Sequence, residues 1–180
     1  MFRNARSEDI DGLHQLLVAE AAQARFDQRL TEEPYRSGLR KNLNSIRKKG
    51  RRLDEDLPAQ LLVWDQDGDV AGCAINSAIL PGAGNEIWVI AVFPESRGAG
   101  VGRAMNNELL KQLHPYVDIF ASCAPQAQVA CEMFLRRGFL PLDTTDLGVR
   151  VLKMPKMGST MATQNAGNQV LEPFREVTIR

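Results

Sequence analysis

The chain has 180 residues, with 22 lysines and arginines against 22 aspartates and glutamates, three cysteines and a hydrophobic content of 44%. This length fits one domain with or without a tail, and the balanced charge excludes both a globally basic nucleic-acid binder and an acidic disordered chain. Because the cysteine count is odd and no Cys-x-x-Cys pair is present, neither a disulfide framework nor a zinc ribbon is expected.

The N-terminal half predicts a strand, two helices and a hairpin. Residues 1–6 lack the apolar stretch of a signal peptide, and no apolar run approaches the roughly 18 residues of a membrane span. We therefore expect a cytoplasmic protein without membrane contact. The predicted elements are a strand at 2–5, a helix N-capped by Ser7 and running to about Ala21, a helix at 35–49, and strands at 60–64 and 70–80 on either side of a turn cluster.

The C-terminal half alternates strands with helices. A strongly apolar strand at 86–93 is typical of a strand buried on both faces. The elements after it are a glycine-rich loop at 94–102, a helix at 101–113, a strand at 117–122, a helix opened by Pro125 and running to Arg137, and strands at 139–142 and 149–154. Residues 158–180 are polar and predict a tail that ends in a short strand at 176–179.

The glycine-rich loop is the most informative stretch of the sequence. It reads Pro94-Glu95-Ser96-Arg97-Gly98-Ala99-Gly100-Val101-Gly102-Arg103 and joins the buried strand to a helix. Small residues let successive backbone N–H groups converge on an anion, the helix N-terminus adds its positive end, and Arg97 and Arg103 can supply charge. The loop therefore predicts a phosphate or pyrophosphate cradle, with a plain glycine-rich turn as the alternative. Neither the Walker pattern nor the dinucleotide G-x-G-x-x-G pattern is present.

Two motifs resemble landmarks of the GNAT superfamily of N-acetyltransferases. The stretch from Arg97 to Gly102 resembles the R/Q-x-x-G-x-G/A signature, and Ile90-Ala91-Val92-Phe93-Pro94 resembles the strand and turn before it. Ala130 with Phe134-Leu135-Arg136-Arg137-Gly138-Phe139 resembles A-x-x-x-Y-x-x-x-G-F. The resemblance covers nearly all of residues 1–155 and implies an α/β (α+β) fold. We expect a mixed, splayed central sheet of about six or seven strands with about four helices in a domain of residues 1–157.

The resemblance also implies acetyl-CoA as the cosubstrate, with no metal. Backbone groups around Ala91, Val92 and Phe93 would pair with the pantetheine amides, so that the cosubstrate binds as an added strand. The N–H groups of the loop would hold the pyrophosphate. The implied binding residues are Ala91, Val92, Phe93, Arg97, Gly98, Ala99, Gly100, Val101, Gly102 and Arg103.

Glu86 is the candidate general base. Acyl transfer to an amine needs a base, a polarised thioester oxygen and a thiolate that can leave. Glu86 begins the central strand, where protein-acetylating members of the family resemble this chain in placing a catalytic glutamate. Burial by the apolar strand would raise the pKa of this carboxyl, and an N–H near Val92 would contact the oxyanion. A surface glutamate at a loop edge is the alternative.

One departure from the family pattern affects the mechanism. The general-acid tyrosine of the family corresponds to Phe134, which has no proton to give, and the usual asparagine seven residues earlier is Ala127. Water could protonate the thiolate, Cys131 or Cys123 could stand in, or the protein could bind acetyl-CoA without turning it over. The prediction is therefore an N-acetyltransferase that moves acetyl directly to a primary amine, with a non-catalytic acetyl-CoA-binding regulatory module acting on a protein partner as the alternative.

Residues 36–52 carry eight bases and no acid. Such a stretch is a solvated helix face or a contact for a polyanion such as RNA. Acetylation of an RNA-linked amine is a further hypothesis that this stretch alone suggests. The sequence does not identify the acceptor, which is a small-molecule or protein amine, and a homodimer stays open. The bases are Arg36, Arg40, Lys41, Arg47, Lys48, Lys49, Arg51 and Arg52.

Overall fold

The computed structural model, which describes residues 1–79 and 83–159, is built around one seven-stranded mixed sheet. The strand order is β1-β2-β3-β4-β5-β7-β6, and β4 and β5 are the parallel pair among antiparallel neighbours. The elements in chain order are β1 (Phe2–Asn4), α1 (Asp9–Ala22), a 3₁₀ helix (Gln28–Thr31), α2 (Tyr35–Lys49), β2 (Ala59–Gln66), β3 (Asp69–Ala78), β4 (Asn85–Val92), a 3₁₀ helix (Pro94–Ser96), α3 (Val101–Leu113), β5 (Ile119–Cys123), α4 (Gln128–Leu135), β6 (Leu140–Thr144) and β7 (Arg150–Met154).

The fold confirms the predicted mixed sheet and four α-helices, but two predicted helix starts are wrong. Ser7 does not cap α1, which begins at Asp9, because the Asp9 carboxylate itself accepts the Arg6 N–H at 2.6 Å and the Arg3 guanidinium at 2.7 Å. Pro125 does not open α4, which begins at Gln128. Residues 124–127 form a turn first, closed by the Ala127 N–H on the Ala124 carbonyl at 2.9 Å.

The sheet is splayed between β4 and β5. The two strands pair only at Asn85↔Ile119 and Glu86↔Phe120 and then separate. On the other edge of β4, Ile87 and Val89 face consecutive residues of β3, which leaves Trp88 as a bulge that adds local twist. The edge of β4 that faces β5 is therefore open from Ile87 to Val92 among the described residues.

Two apolar layers hold the helices on the sheet. Leu13, Leu17 and Leu43 pack with Ile75 in the layer under α1 and α2, and Met105 and Leu109 belong to the layer under α3 and α4. A fully buried leucine stabilises the fold by about 1.5–3 kcal/mol, so these layers fix the positions of α1, α2 and α3 on the two faces of β4.

The predicted tail at 158–180 and its strand at 176–179 lie outside the described residues from residue 160 onward. The last predicted residue of the hairpin, Leu80, and part of the loop that follows it also lie outside them. Among the helices that the structure describes, none combines the length and apolar content needed to cross a membrane.

Candidate active site

The glycine-rich loop ends in the first turn of α3. Gly100 is the N-cap of the helix at φ +81°, and Gly98 has φ +78°. Glycine adopts this left-handed conformation without steric cost, and a Cβ on Gly98 would meet no atom within 4 Å. The N–H groups of the first helical turn have no partner within the helix, and the helix dipole makes that end positive. The loop therefore presents backbone donors and an open surface, as an anion cradle requires.

The two loop arginines have different roles. Arg97 pairs with Glu20 on α1 at 2.7 Å, and its Nε donates to the Val92 carbonyl at 3.0 Å. The same Glu20 carboxylate also pairs with Arg25 at 3.1 Å, so Arg97 ties the loop to α1 and β4 while the two arginines keep a net positive charge, and its contribution to an anion site stays a prediction. Arg103 is exposed, and its Nη2 lies 3.7 Å from the position that a Cβ on Gly100 would take. Within the described part of the chain Arg103 forms no ion pair, so its charge is available to an anion at the loop.

The open edge of β4 presents Val92 rather than all three predicted residues. The Phe93 N–H already donates to the Ala71 carbonyl at 3.0 Å, so Phe93 cannot donate to a pantetheine amide. Hydrogen-bonded and non-hydrogen-bonded pairs alternate along an antiparallel ladder, which places Ala91 in the next hydrogen-bonded pair with Cys73. Val92 lies between them, and its carbonyl points away from β3 toward Arg97. The backbone groups of Ala91 and Phe93 are therefore directed to β3, whereas Val92 and, by the same alternation, Ile90 face the cleft, and the pairing of Ala91, Val92 and Phe93 with pantetheine stays a prediction.

Glu86 lies where β4 and β5 begin to separate. It is partly buried, and the Ser122 hydroxyl on β5 donates to its Oε1 at 3.0 Å. Burial raises the pKa of the Glu86 carboxyl, while the Ser122 hydrogen bond and the charge of Arg52 oppose the rise and Glu55 reinforces it. The upward direction of this pKa shift agrees with the expectation for a carboxyl at the start of an apolar strand. Ser122 was missed at the sequence level because nothing in the local pattern of β5 reveals a contact 36 residues away.

The connection between α2 and β2 packs beside Glu86. Arg52 is only 5% exposed and pairs with the equally buried Asp54, and its guanidinium lies 4.2 Å from the centre of the Trp88 ring. The Leu53 N–H donates to Asn42 Oδ1 at 2.9 Å, which ties the connection to α2. This buried network around β4 was not predicted, because Arg52 lies in a run of bases that is typical of a solvated face or a polyanion contact.

The predicted basic stretch is therefore not one continuous charged surface. Arg52 is buried and neutralised, Arg51 pairs with Asp56, and Arg40 pairs with Asp11. The remaining five bases form no ion pair with any described residue. The polyanion contact through residues 36–52 stays a prediction that depends on those five.

Phe134 and the cysteines belong to the core. The Phe134 ring packs on Phe139 with centroids 5.0 Å apart, and Cys123 and Cys131 are buried in the same layer. Burial raises the pKa of the Cys123 thiol to about 12, and Arg150 donates to Cys131 Sγ at 3.8 Å. A buried thiol with so high a pKa is a poor proton donor, which argues against Cys123 as a stand-in for the missing tyrosine.

The sequence matches the model of the acetyltransferase (GNAT) family over residues 13–139, well over half of the chain. No curated protein matches the sequence.

Solved structures share the fold at low identity. An N-acetyltransferase from Staphylococcus aureus Mu50 is 18% identical with a TM-score of 0.65, covering 86% of this chain and 100% of its own. A spermidine N-acetyltransferase from Vibrio cholerae, in complex with CoA and spermine, is 16% identical with a TM-score of 0.63 and coverage of 87% and 95%. A ribosomal-protein-alanine N-acetyltransferase from Brucella melitensis is 18% identical with a TM-score of 0.63 and coverage of 86% and 99%. At these identities the likeness establishes the fold alone.

Proposed function

The chain belongs to the GNAT acetyltransferase family, and from this premise we propose that it transfers an acetyl group from acetyl-CoA directly to a primary amine, with Glu86 as the general base. The family membership supports an acyl-CoA-dependent acetyltransferase. Among proteins of the same fold, one acts on spermidine and another on a ribosomal protein, and both names describe N-acetylation. These similarities favour an amine as the acceptor of this chain.

The observation that carries the proposal is the position of the Glu86 carboxylate. It lies where the parallel strands separate, held by Ser122 at 3.0 Å, and burial moves its pKa upward toward the working range of a general base. A fully solvated carboxylate at a loop edge would have neither this hydrogen bond nor a raised pKa. In this arrangement Glu86 takes the proton of the attacking amine, and Ser122 positions the carboxylate for that transfer.

The residues on the cofactor side fit acetyl-CoA. The N–H groups of the loop and the first turn of α3, together with Arg103, would hold the pyrophosphate, and the Val92 backbone would pair with a pantetheine amide. Gly98 and Gly100 keep the cradle free of side chains at the two positions of positive φ. When bound, acetyl-CoA supplies an activated acyl group as a thioester.

Solvent is the proton source that we assign to the departing thiolate. Phe134 has no proton to donate, and the two cysteines of its layer are buried. Glu86 is only partly buried, which leaves this end of the cleft between β4 and β5 in contact with solvent. The mechanism therefore uses one protein base and no protein acid.

The test replaces Glu86 by its isosteric amide. With acetyl-CoA and a panel of primary amines, release of free thiol measures turnover, and calorimetry measures affinity for acetyl-CoA. Glu86→Gln should lower kcat/KM by about 10²–10⁴-fold, the usual contribution of a general base, with unchanged acetyl-CoA affinity. Glu132→Gln, which removes an exposed carboxylate on α4, is the matched control and should keep full activity. Wild-type activity in Glu86→Gln would overturn the role of the base.

Phe134, which stands where the family pattern has a proton donor, favours a second candidate, a non-catalytic module that binds acetyl-CoA and regulates a protein partner. Tight acetyl-CoA binding without turnover of any amine, together with co-purification of one partner, would support the module. A protein that fails to bind CoA would contradict both candidates.

A further inference from the structure

A cavity of about 110 Å³ lies between α1, α2 and β4, on the face of the sheet opposite α3. We call it the side pocket. Its floor is buried, and half-buried side chains from the 3₁₀ connection and from β4 form its rim. Six of its lining residues are apolar: Leu17, Phe26, Leu30, Leu39, Trp88 and Val89.

The side pocket adjoins the candidate base because of the bulge in β4. Residues two apart on a strand share a face, so Glu86 and Trp88 point to the same side, with their Cα atoms roughly 7 Å apart. The bulge at Trp88 turns Val89 onto that face as well, while Ile87 belongs to the opposite layer. The pocket therefore begins one pleat along the strand from the Glu86 carboxylate.

The two polar residues of the pocket already have partners. Arg29 holds the Asp27 carboxylate at 2.7 and 2.9 Å through two of its guanidinium nitrogens. Asn42 Oδ1 accepts the Leu53 N–H. The lining thus offers apolar surface without an uncommitted carboxylate for a second ammonium group, which disfavours a polyamine acceptor.

We propose that the side pocket binds an aliphatic group of about four carbons on the acceptor, so that the acceptor is a primary amine with a leucine-like side chain next to the amine. The inference rests on the proposed acetyl transfer. A dry cavity of roughly 150 Å³ accommodates benzene, so a pocket of about 110 Å³ suits a smaller, branched aliphatic group. With its nitrogen at Glu86, such an amine directs its side chain along β4 past Trp88.

The first experiment compares amino-acid amides as acceptors of the full-length protein. Glycinamide, alaninamide, valinamide and leucinamide present the same amine with increasing aliphatic volume, and spermidine is the polycationic probe. We expect kcat/KM to rise about fourfold for each methylene group that enters the pocket, with leucinamide best and spermidine no better than glycinamide.

A pocket-filling variant separates the pocket from general hydrophobicity. Leu30→Phe adds bulk at the half-buried rim and should lower the leucinamide-to-glycinamide ratio of kcat/KM at least tenfold. Leu110→Phe makes the same change at a half-buried leucine packed on the other layer and should leave the ratio unchanged. Thermal melts of both variants establish that they are folded. If a variant does not fold, the amino-acid amide series on the wild-type protein still tests the proposal.

A binding measurement distinguishes failure of the pocket from failure of the proposed function. Calorimetry of the CoA-saturated wild-type protein should show leucinamide bound at least tenfold more tightly than glycinamide, whether or not acetyl is transferred. Tighter leucinamide binding without turnover would overturn the proposed function and retain the pocket. Equal affinities, equal kcat/KM along the series, or a preference for spermidine would overturn the pocket.

Discussion

The proposed cofactor side and the proposed acceptor side of this molecule are built in opposite ways. The cofactor side is one continuous stretch of chain from Val92 to Arg103, in which glycines expose backbone donors at the start of α3. The acceptor side joins side chains from the α1–α2 connection, the α2–β2 connection, β4 and β5. Backbone recognition needs little more than small residues in the right order, whereas side-chain recognition needs segments that only folding brings together.

The two sides also use charge differently. On the cofactor side Arg103 is exposed and Arg97 is fastened to Glu20 at 2.7 Å. On the acceptor side Arg52 and Asp54 form a buried pair against Trp88, beside a carboxylate whose pKa burial raises. We therefore expect variants on the cofactor side to change binding of acetyl-CoA, and variants on the acceptor side to change stability and the pH dependence of turnover.

The largest expected effect comes from Gly100→Glu on the cofactor side. The substitution places a β-carbon at φ +81° and a negative charge where the pyrophosphate would bind, so acetyl-CoA affinity should fall by more than about 1000-fold in calorimetry. Gly68→Glu is the matched control, because Gly68 has φ +98° with no atom within 4 Å of a Cβ and lies in the β2–β3 turn. The control should keep acetyl-CoA affinity, and equal losses in the two variants would refute the cradle.

Arg52→Gln tests the buried network of the acceptor side. It leaves Asp54 buried without its partner, and breaking a buried pair in this way costs about 3 kcal/mol of unfolding free energy, measured by urea titration. Arg51→Gln breaks the neighbouring exposed pair with Asp56 and should have no measurable effect. If the two variants are equally stable, the connection between α2 and β2 does not depend on the buried pair.

Ser122→Ala carries the smallest expected effect and tests positioning of the base. The Ser122 hydrogen bond opposes the burial-induced rise in the pKa of Glu86, so its loss should raise that pKa further. Because the ionised carboxylate is the active form, kcat/KM should fall about tenfold below the new pKa and recover at higher pH, shifting the profile upward.

The control for Ser122→Ala is Ser7→Ala. Ser7 also donates its hydroxyl to a glutamate, Glu8, at 3.1 Å, but on the exposed surface. The pH profile of kcat/KM for Ser7→Ala should match that of the wild type. A Ser122→Ala profile with unchanged shape and a uniformly lower rate would show that Ser122 does not act through the ionisation of Glu86.

Local boundaries show where sequence patterns stop being sufficient. The helix at 35–49 and the helix at 101–113 were predicted at their observed bounds, because apolar spacing and flanking glycines specify them within a few residues. The starts of α1 and α4 were wrong, since Asp9 gains a partner in Arg3 on β1 and residues 124–127 close a turn before α4. Where contacts between two elements set a helix start, the sequence of the helix alone does not reveal that start.

The sequence by itself determined the order of the elements, the family and the glycine-rich loop, because each depends on residues that are neighbours along the chain. It also pointed to Glu86 through the start of an apolar strand. Only the tertiary structure decided that Ser122 holds this carboxylate, that Arg52 is buried against Trp88 rather than free for a polyanion, and that the Val92 backbone faces the cleft. These contacts depend on strand register, on the separation of β4 from β5 and on the bulge at Trp88, which arise from packing between distant segments.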